Sequence, residues 1–312
     1  MQKTIMEMKM QVENEKEIGS VFEAGNLSVK TMKVKKSDGC RPPAEVLVVA
    51  PEAQGRYPLV LFCHGYCTQT SWYSQLLCHI SSHGYILVAP KLYQWLLICK
   101  NDEIKTAGNV ANWVARGGLE TCLPENVKPD LSKTAVMGHS RGGRTAFGLA
   151  LGHRHLAFKA LIGLDPVEGP APAAWVEPRI LSYVPRSFNA GMPVAVVGGG
   201  LGNRSKGVFV PPLAPDGCSH AEFFNESRPP CCYFVAKDYG HCDVLDEERA
   251  GLGGLVCRSG KGPKEKMRRG VGGVVVAFLR AYLGGECGIL EGVVAAPALA
   301  PVTMDPVIYV KE

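Results

Sequence analysis

Residues Gly138-His139-Ser140-Arg141-Gly142 form a Gly-x-Ser-x-Gly motif. The apolar run Thr134-Ala135-Val136-Met137 enters it with strand character, and Thr145-Ala146-Phe147-Gly148-Leu149-Ala150-Leu151 leaves it with helix character. In that context the motif is a nucleophile elbow. Its glycines relieve a turn too tight for a Cβ on either side, and the serine hydroxyl is held out of the turn at the sheet edge. A serine hydroxyl is a weak nucleophile until a base lies within hydrogen-bond reach. The chemistry expected is acyl transfer, with partners following in the chain order Ser, acid, His.

His241 closes the run Val235-Ala236-Lys237-Asp238-Tyr239-Gly240-His241. A histidine in the loop straight after a strand suits a base that must reach Ser140. His220, in Ser219-His220-Ala221-Glu222, lies before that strand, and loop hydrogen bonding is the role expected of it. Asp165 ends the run Ala160-Leu161-Ile162-Gly163-Leu164 and precedes Pro166. A carboxylate there can accept the His241 N–H, fix its tautomer and stabilise the imidazolium. The bland alternative is an aspartate capping a turn before proline. The other usual location for the acid, one strand later, reads Val197-Gly198-Gly199-Gly200-Leu201-Gly202 and has no carboxylate; Asp216 is the nearest, far along the loop.

An oxyanion hole needs two backbone N–H groups aimed at the developing charge. One is expected from Arg141, the other from Tyr66 in His64-Gly65-Tyr66-Cys67, which follows the apolar run Leu59 to Cys63. The Arg141 side chain is expected to make a local salt bridge. Two rival motifs fail: Gly253 to Lys261 has the wrong spacing for a phosphate loop, and Gly198 to Gly202 lacks the dinucleotide pattern. No cofactor, nucleotide or metal is expected.

The elements that must position these residues are legible as an alternation. Leu27 to Val34 and Glu45 to Val49 read as an antiparallel pair. Leu59 to Cys63, Ile86 to Pro90, Thr134 to Met137, Ala160 to Leu164, Val194 to Val197 and Cys232 to Ala236 read as strands, with helical patterns between several of them. Continuous apolar runs belong to strands buried on both faces. The fold class is α/β, a mostly parallel central sheet flanked by helices on both faces. Loops 92–105, 167–192 and 198–222 each follow a strand end, the edge where such sheets bind ligands.

The chain has 312 residues, 46% of them hydrophobic, enough for one large domain with a full core. No apolar stretch is long enough to span a bilayer; Gly270 to Leu283 reads as an amphipathic helix. The net charge of +5 is mild, and nothing suggests nucleic acid. The basic run Lys261 to Arg269 reads as a solvated loop, with contact to an anionic membrane as the alternative. Twelve cysteines are too sparse for a disulfide scaffold and match no zinc spacing; buried thiols are the default, with one or two redox-active pairs as the alternative. Residues 1–20 read as a flexible segment without a readable targeting signal, 21–285 as the catalytic domain and 286–312 as a tail.

Beyond the motif, the chain resembles the plant chlorophyllases. The resemblance rests on Val21-Phe22-Glu23-Ala24-Gly25, Leu59 to Tyr66, Ser82-His83-Gly84-Tyr85, Leu123-Pro124-Glu125-Asn126-Val127, Gly138 to Gly143, Leu164-Asp165-Pro166-Val167, His220 to Glu226 and Lys237 to His241. It implies an α/β-hydrolase fold, a triad mapping onto Ser140, Asp165 and His241, and hydrolysis of the phytyl ester of chlorophyll to chlorophyllide. It also implies a chloroplast location, with cytosol or endomembrane as alternatives, and peripheral contact with pigment-bearing membranes. Such a substrate suits aromatic residues on the edge loops, and Trp72, Trp95 and Phe188 are the expected substrate contacts, with Trp175 beside them. The insert Cys99 to Glu103 and the stretch Gly251 to Gly262 look individual to this chain. A general carboxylesterase or lipase of the same fold and a non-catalytic pigment-binding protein are the competing readings. The oligomeric state is not legible.

Overall fold

The computed structural model describes residues 13, 15–93, 103–152, 156–171, 177–207, 210–248 and 257–312. Among the described residues nine strands form one sheet: β1 (Val29–Val34), β2 (Val46–Pro51), β3 (Gly55–Cys63), β4 (Ile86–Pro90), β5 (Val127–His139), β6 (Ala160–Leu164), β7 (Val194–Gly199), β8 (Cys231–Ala236) and β9 (Met304–Val310). Their spatial order is β1-β2-β4-β3-β5-β6-β7-β8-β9. The strands from β4 to β8 in that order pair in parallel, while β1, β2 and β9 pair antiparallel at the two margins. Every residue of β2, β4, β6, β7 and β8 is buried. That is why these strands read as unbroken apolar runs: helices cover both faces.

Neighbouring residues along a strand serve opposite faces. Val60, Phe62, Leu87 and Met137 pack with Phe22, Tyr73, Leu76, Val274 and Phe278 on one side of the sheet. Leu59, Leu61, Val88 and Val136 pack with Val110, Val114, Phe147 and Phe223 on the other. The first layer is carried by α1 (Ser74–Ser82), α5 (Lys264–Leu279) and α6 (Cys287–Ala295), the second by α2 (Glu103–Ala115), α3 (Arg141–Gly152) and α4 (His220–Glu226). Among the described residues no helix is long and apolar enough to cross a membrane.

The arrangement of β4, β3 and β5 positions the site. The chain leaves β3 for β4 on one side, then returns across β3 to β5 on the other. Connections from β3 and β5 therefore diverge, leaving a crevice at their C-terminal ends. The Gly-x-Ser-x-Gly turn and the His64-Gly65-Tyr66 loop both open into that crevice.

Three features go beyond the sequence reading. The basic run is a loop only as far as Pro263: from Lys264 it begins α5, and three of its five basic side chains are paired, Lys264 to Asp243, Arg268 to Glu247, and Arg269 to Glu23 and Glu265, while Lys261 and Lys266 are exposed. Residues 286–312 supply α6 and then β9, whose backbone closes the free edge of β8. Cys40 and Cys122 form a disulfide across 82 residues of sequence, a pair that no spacing rule singles out. The other described cysteines are thiols.

Candidate active site

The elbow is built as the motif requires. β5 ends at His139, Ser140 turns the chain, and Arg141 begins α3. Ser140 has φ +58°, a left-handed conformation that L-residues rarely adopt. Gly142 lets α3 start against β3: a Cβ there would lie 2.2 Å from the Cys63 carbonyl oxygen and 2.4 Å from that of His64. The turn is held by the Ser140 N–H donating to the Leu164 carbonyl at 3.0 Å and by the Gly143 N–H donating to the Ser140 carbonyl at 2.9 Å.

The structure brings Ser140, His241 and Asp165 into one hydrogen-bonded line. His241 Nε2 lies 2.8 Å from Ser140 Oγ, and Nδ1 lies 2.8 Å from Asp165 Oδ2. A carboxylate only accepts, so Nδ1 carries the proton and Nε2 accepts from the serine hydroxyl. Ser140 is partly open to solvent, whereas His241 and Asp165 are buried. Burial alone would raise the Asp165 pKa, but the His241 hydrogen bond and the nearby histidine charges hold it below the usual carboxylate value.

His241 is positioned by a residue the sequence reading did not single out. The buried carboxylate of Asp243 accepts the Gly240 N–H at 2.8 Å and the Gly260 N–H at 2.7 Å, the Ser259 hydroxyl at 2.5 Å, and pairs with Lys264 at 3.0 Å. It fastens the histidine loop to the segment that leads into α5.

The loop after β3 is packed directly onto the elbow. A Cβ on Gly65 would lie 3.2 Å from Ser140 Cβ. A chain of hydrogen bonds ties this loop to the histidine loop. The Gly65 N–H donates to the Tyr73 hydroxyl at 3.1 Å, Tyr73 donates to His139 Nδ1 at 2.8 Å, and His139 Nε2 donates to the His241 carbonyl at 3.0 Å. The directions follow from the ends: a carbonyl must accept, so His139 carries its proton on Nε2. The ring of His139 also stacks at 4.7 Å on that of His241. Burial and the neighbouring His241 lower the His139 pKa to about 3, so it stays neutral. His64 is also neutral: Nδ1 donates to the Gly65 carbonyl at 2.9 Å while Nε2 accepts the Leu92 N–H at 3.0 Å. Burial lowers its pKa to about 4.

Arg141 and Tyr66, the expected oxyanion donors, are neighbours. The Arg141 guanidinium lies 5.4 Å from the Tyr66 ring centre and 5.9 Å from that of Tyr93, and its Nε donates to Glu103 at 2.8 Å. The local salt bridge expected of Arg141 is thus present. Behind it, the fully buried Arg144 lies 3.6 Å from Glu103 and 3.5 Å from Glu168. This ionic cluster fastens α2, α3 and the loop after β6 beneath the elbow.

The expected substrate contacts are less uniform. Trp72, half-buried beside Tyr73, packs against the first core layer, and its carbonyl accepts the Asp246 N–H at 2.7 Å. Phe188 is buried in the second core layer, 4.8 Å from the Phe147 ring. Its packing against Phe147 accounts for its apolar character without a ligand. Trp95 and Trp175 lie outside the described residues, as do most of the Cys99 to Glu103 insert and the first part of the Gly251 to Gly262 stretch. Asp216 is spent on Asn203, 2.9 Å away. Among the described residues no three His, Cys, Asp or Glu side chains converge as a metal-binding group.

Comparison with known proteins adds the family. The chlorophyllase family model matches residues 17–311. "Chlorophyllase-1" of Arabidopsis thaliana is 42% identical over 298 residues, covering 92% of this chain and 91% of that protein. "Chlorophyllase-2" of Arabidopsis thaliana is 42% identical over 86% of this chain and 90% of its own length. "Chlorophyllase-1, chloroplastic" of Citrus unshiu is 38% identical over 93% and 88% respectively.

Proposed function

This chain belongs to the chlorophyllase family and is a carboxylic ester hydrolase; from that premise we propose that it cleaves the phytyl ester of chlorophyll to chlorophyllide and phytol, with Ser140 as nucleophile, His241 as general base and acid, and Asp165 as the residue that orients His241. The observation that carries this is the line Asp165–His241–Ser140, with both links at 2.8 Å.

The geometry supports the following course. Ser140 Oγ attacks the ester carbonyl while His241 Nε2 takes its proton. The charge that gathers on the carbonyl oxygen is held by the N–H groups of Tyr66 and Arg141, each such donor being worth roughly 3 kcal/mol of barrier. When the tetrahedral centre collapses, the bond to the phytyl oxygen breaks and His241 returns the proton to it. Phytol leaves, and the chlorophyllide acyl group remains on Ser140. Water then attacks this acyl-enzyme with His241 again as base, freeing the chlorophyllide carboxylate and the serine. Asp165 remains ionised throughout and stabilises the imidazolium in both steps. The word chloroplastic in the name of the Citrus relative supports action in the plastid, which uptake of the full chain by isolated chloroplasts tests.

The decisive experiment is chlorophyllide release from chlorophyll by the purified protein, with Ser140→Ala alongside and short p-nitrophenyl esters as a second substrate. Release by wild type and its loss in the variant support the proposal. Turnover of the simple esters without chlorophyllide release would move the substrate to general carboxylic esters. Undiminished release by Ser140→Ala would overturn the nucleophile.

A further inference from the structure

Asp165 has two carboxylate oxygens, and the triad uses one. Oδ2 accepts the His241 proton, while Oδ1 is buried and has no hydrogen-bond partner among the described residues. A buried carboxylate oxygen left unmatched is costly, so a donor is expected to face it. The polar group facing it is His220, whose Nε2 lies 3.6 Å away. The other ring nitrogen, Nδ1, is 2.7 Å from the Tyr233 hydroxyl.

The space for this ring is built into β7. A Cβ on Gly198 would lie 2.4 Å from His220 Nδ1, so any other residue would expel the imidazole. The glycine cluster that fails as a nucleotide motif therefore has a steric purpose. The end of β7, where a related enzyme could carry its acid, here carries no side chain, and His220 from α4 packs onto it instead. The tautomer follows. Facing a carboxylate, Nε2 must carry the proton, so Nδ1 accepts and Tyr233 donates. Burial, reinforced by the Asp165 and Glu222 charges, pushes the Tyr233 phenol up and keeps that donor in place.

We propose that His220 is a positioning residue for ester hydrolysis: its Nε2–H, oriented by Tyr233 through Nδ1 and admitted by Gly198, holds the second oxygen of Asp165 so that the first stays aligned with His241. Two histidines then face one carboxylate, His241 hydrogen-bonded to Oδ2 and His220 set 3.6 Å from Oδ1. His220 exchanges no proton with substrate, and it acts only through the carboxylate plane. The inference rests on the triad proposed above.

The test compares His220→Ala with His220→Gln, whose amide can present a donor where Nε2 stands, and uses three readouts: kcat and KM for chlorophyll, the rate at which a fluorophosphonate labels Ser140, and the low-field proton resonance of the Asp165–His241 hydrogen bond. His220→Ala is expected to lower kcat and the labelling rate by roughly 10- to 100-fold, the scale of a reacting group held off line, with KM unchanged. The low-field resonance should weaken or shift, and His220→Gln should restore most of all three. Wild-type kcat in His220→Ala, or equal losses in Ala and Gln, overturns the proposal. Should His220→Ala fail to fold, Tyr233→Phe takes its place. It is expected to lower kcat several-fold at unchanged KM, and wild-type kcat there would equally overturn the role. Failure of the triad itself reads differently, as absence of Ser140 labelling in the wild type and survival of activity in Ser140→Ala.

Discussion

The carbonyl of Ser140 accepts the N–H of Val167 at 3.1 Å, so the turn carrying Ser140 and the turn carrying Asp165 are one hydrogen-bonded unit. The Ser140 N–H donates to Leu164 in the same unit, and the Asp165 N–H donates to Val197 at 2.6 Å, extending it to β7. Both Ser140 and Asp165 sit in the left-handed region, with φ of +58° and +42°. Each such residue costs on the order of 1–3 kcal/mol, and the bonds between the two turns offset that cost. Backbone, rather than side-chain packing, therefore sets the spacing of serine and aspartate.

Because the backbone holds Asp165 in place, replacing it with asparagine should change chemistry more than structure. Asp165→Asn turns an acceptor toward His241 into a group that can also donate, favouring the wrong tautomer. kcat for chlorophyll should fall by roughly 10⁴-fold, the scale seen when a triad aspartate becomes asparagine. Circular dichroism should show the fold retained. A loss of less than tenfold would mean that Asp165 does not orient the base.

Tyr73 is the hub through which the β3 loop and the histidine loop feel each other. It accepts from Gly65 and donates to His139, and removing its hydroxyl leaves both buried partners unmatched. Tyr73→Phe should destabilise the protein by about 1–3 kcal/mol in urea unfolding. It should also lower kcat more than it raises KM, because the Gly65-Tyr66 loop loses its anchor beside Ser140. Unaltered kcat with lowered stability would confine Tyr73 to packing.

Much of this site is legible in the sequence because its requirements are local. The elbow needs glycines at fixed offsets, so Ser140 is visible within five residues. Asp165 and His241 each follow an apolar run that reads as a strand, and the structure brings them to the serine. Tyr73, His139 and His64 carry no such signal. Their partners lie 66, 102 and 28 residues away, and only the folded sheet juxtaposes them. The same holds for the Cys40–Cys122 link and for β9, whose single antiparallel pairing leaves it half-exposed and without a continuous apolar run. The start of α5 is masked by Gly260, Gly262 and Pro263 immediately before it, which favour a loop reading.

Arg144 offers a test of the ionic cluster under the elbow. Its guanidinium is fully buried between Glu103 and Glu168, and burial already raises the Glu168 pKa. Arg144→Met fills similar space but leaves the buried Glu168 carboxyl group without its cation and Glu103 with Arg141 alone. Breaking such a pair from one side costs about 3–5 kcal/mol. Urea unfolding should show a loss of that size. A double replacement, Arg144→Met with Glu168→Gln, should recover part of it, and a double variant no more stable than the single one would refute the coupling.

Stability should fall on mild acidification, and the sign follows from His64 and His139. Each is held neutral in the fold, with a pKa of about 4 and about 3 against an ordinary 6.5. Between those values the unfolded chain binds more protons than the native one, so stability rises with pH and is lost as pH drops below 6.5. The slope approaches about 1.4 kcal/mol per pH unit for each histidine. From pH 7 to 5.5 the pair should cost about 2.5 kcal/mol, measured as the shift in urea unfolding free energy. Asp165, whose pKa is lowered, contributes stability that is lost only below its ordinary value of 3.8, outside this range. Glu168, raised by burial, acts in the opposite sense above 4.5, so the wild-type drop alone does not isolate the histidines. His139→Gln does: its amide can still donate toward the His241 carbonyl but does not titrate. It should remove about half of the contribution of the His64 and His139 pair, roughly 1.3 kcal/mol over the same interval, and leave that of His79 and His83, whose pKa values burial also lowers, untouched. An identical drop in wild type and His139→Gln would show that His139 is not held neutral in the native protein.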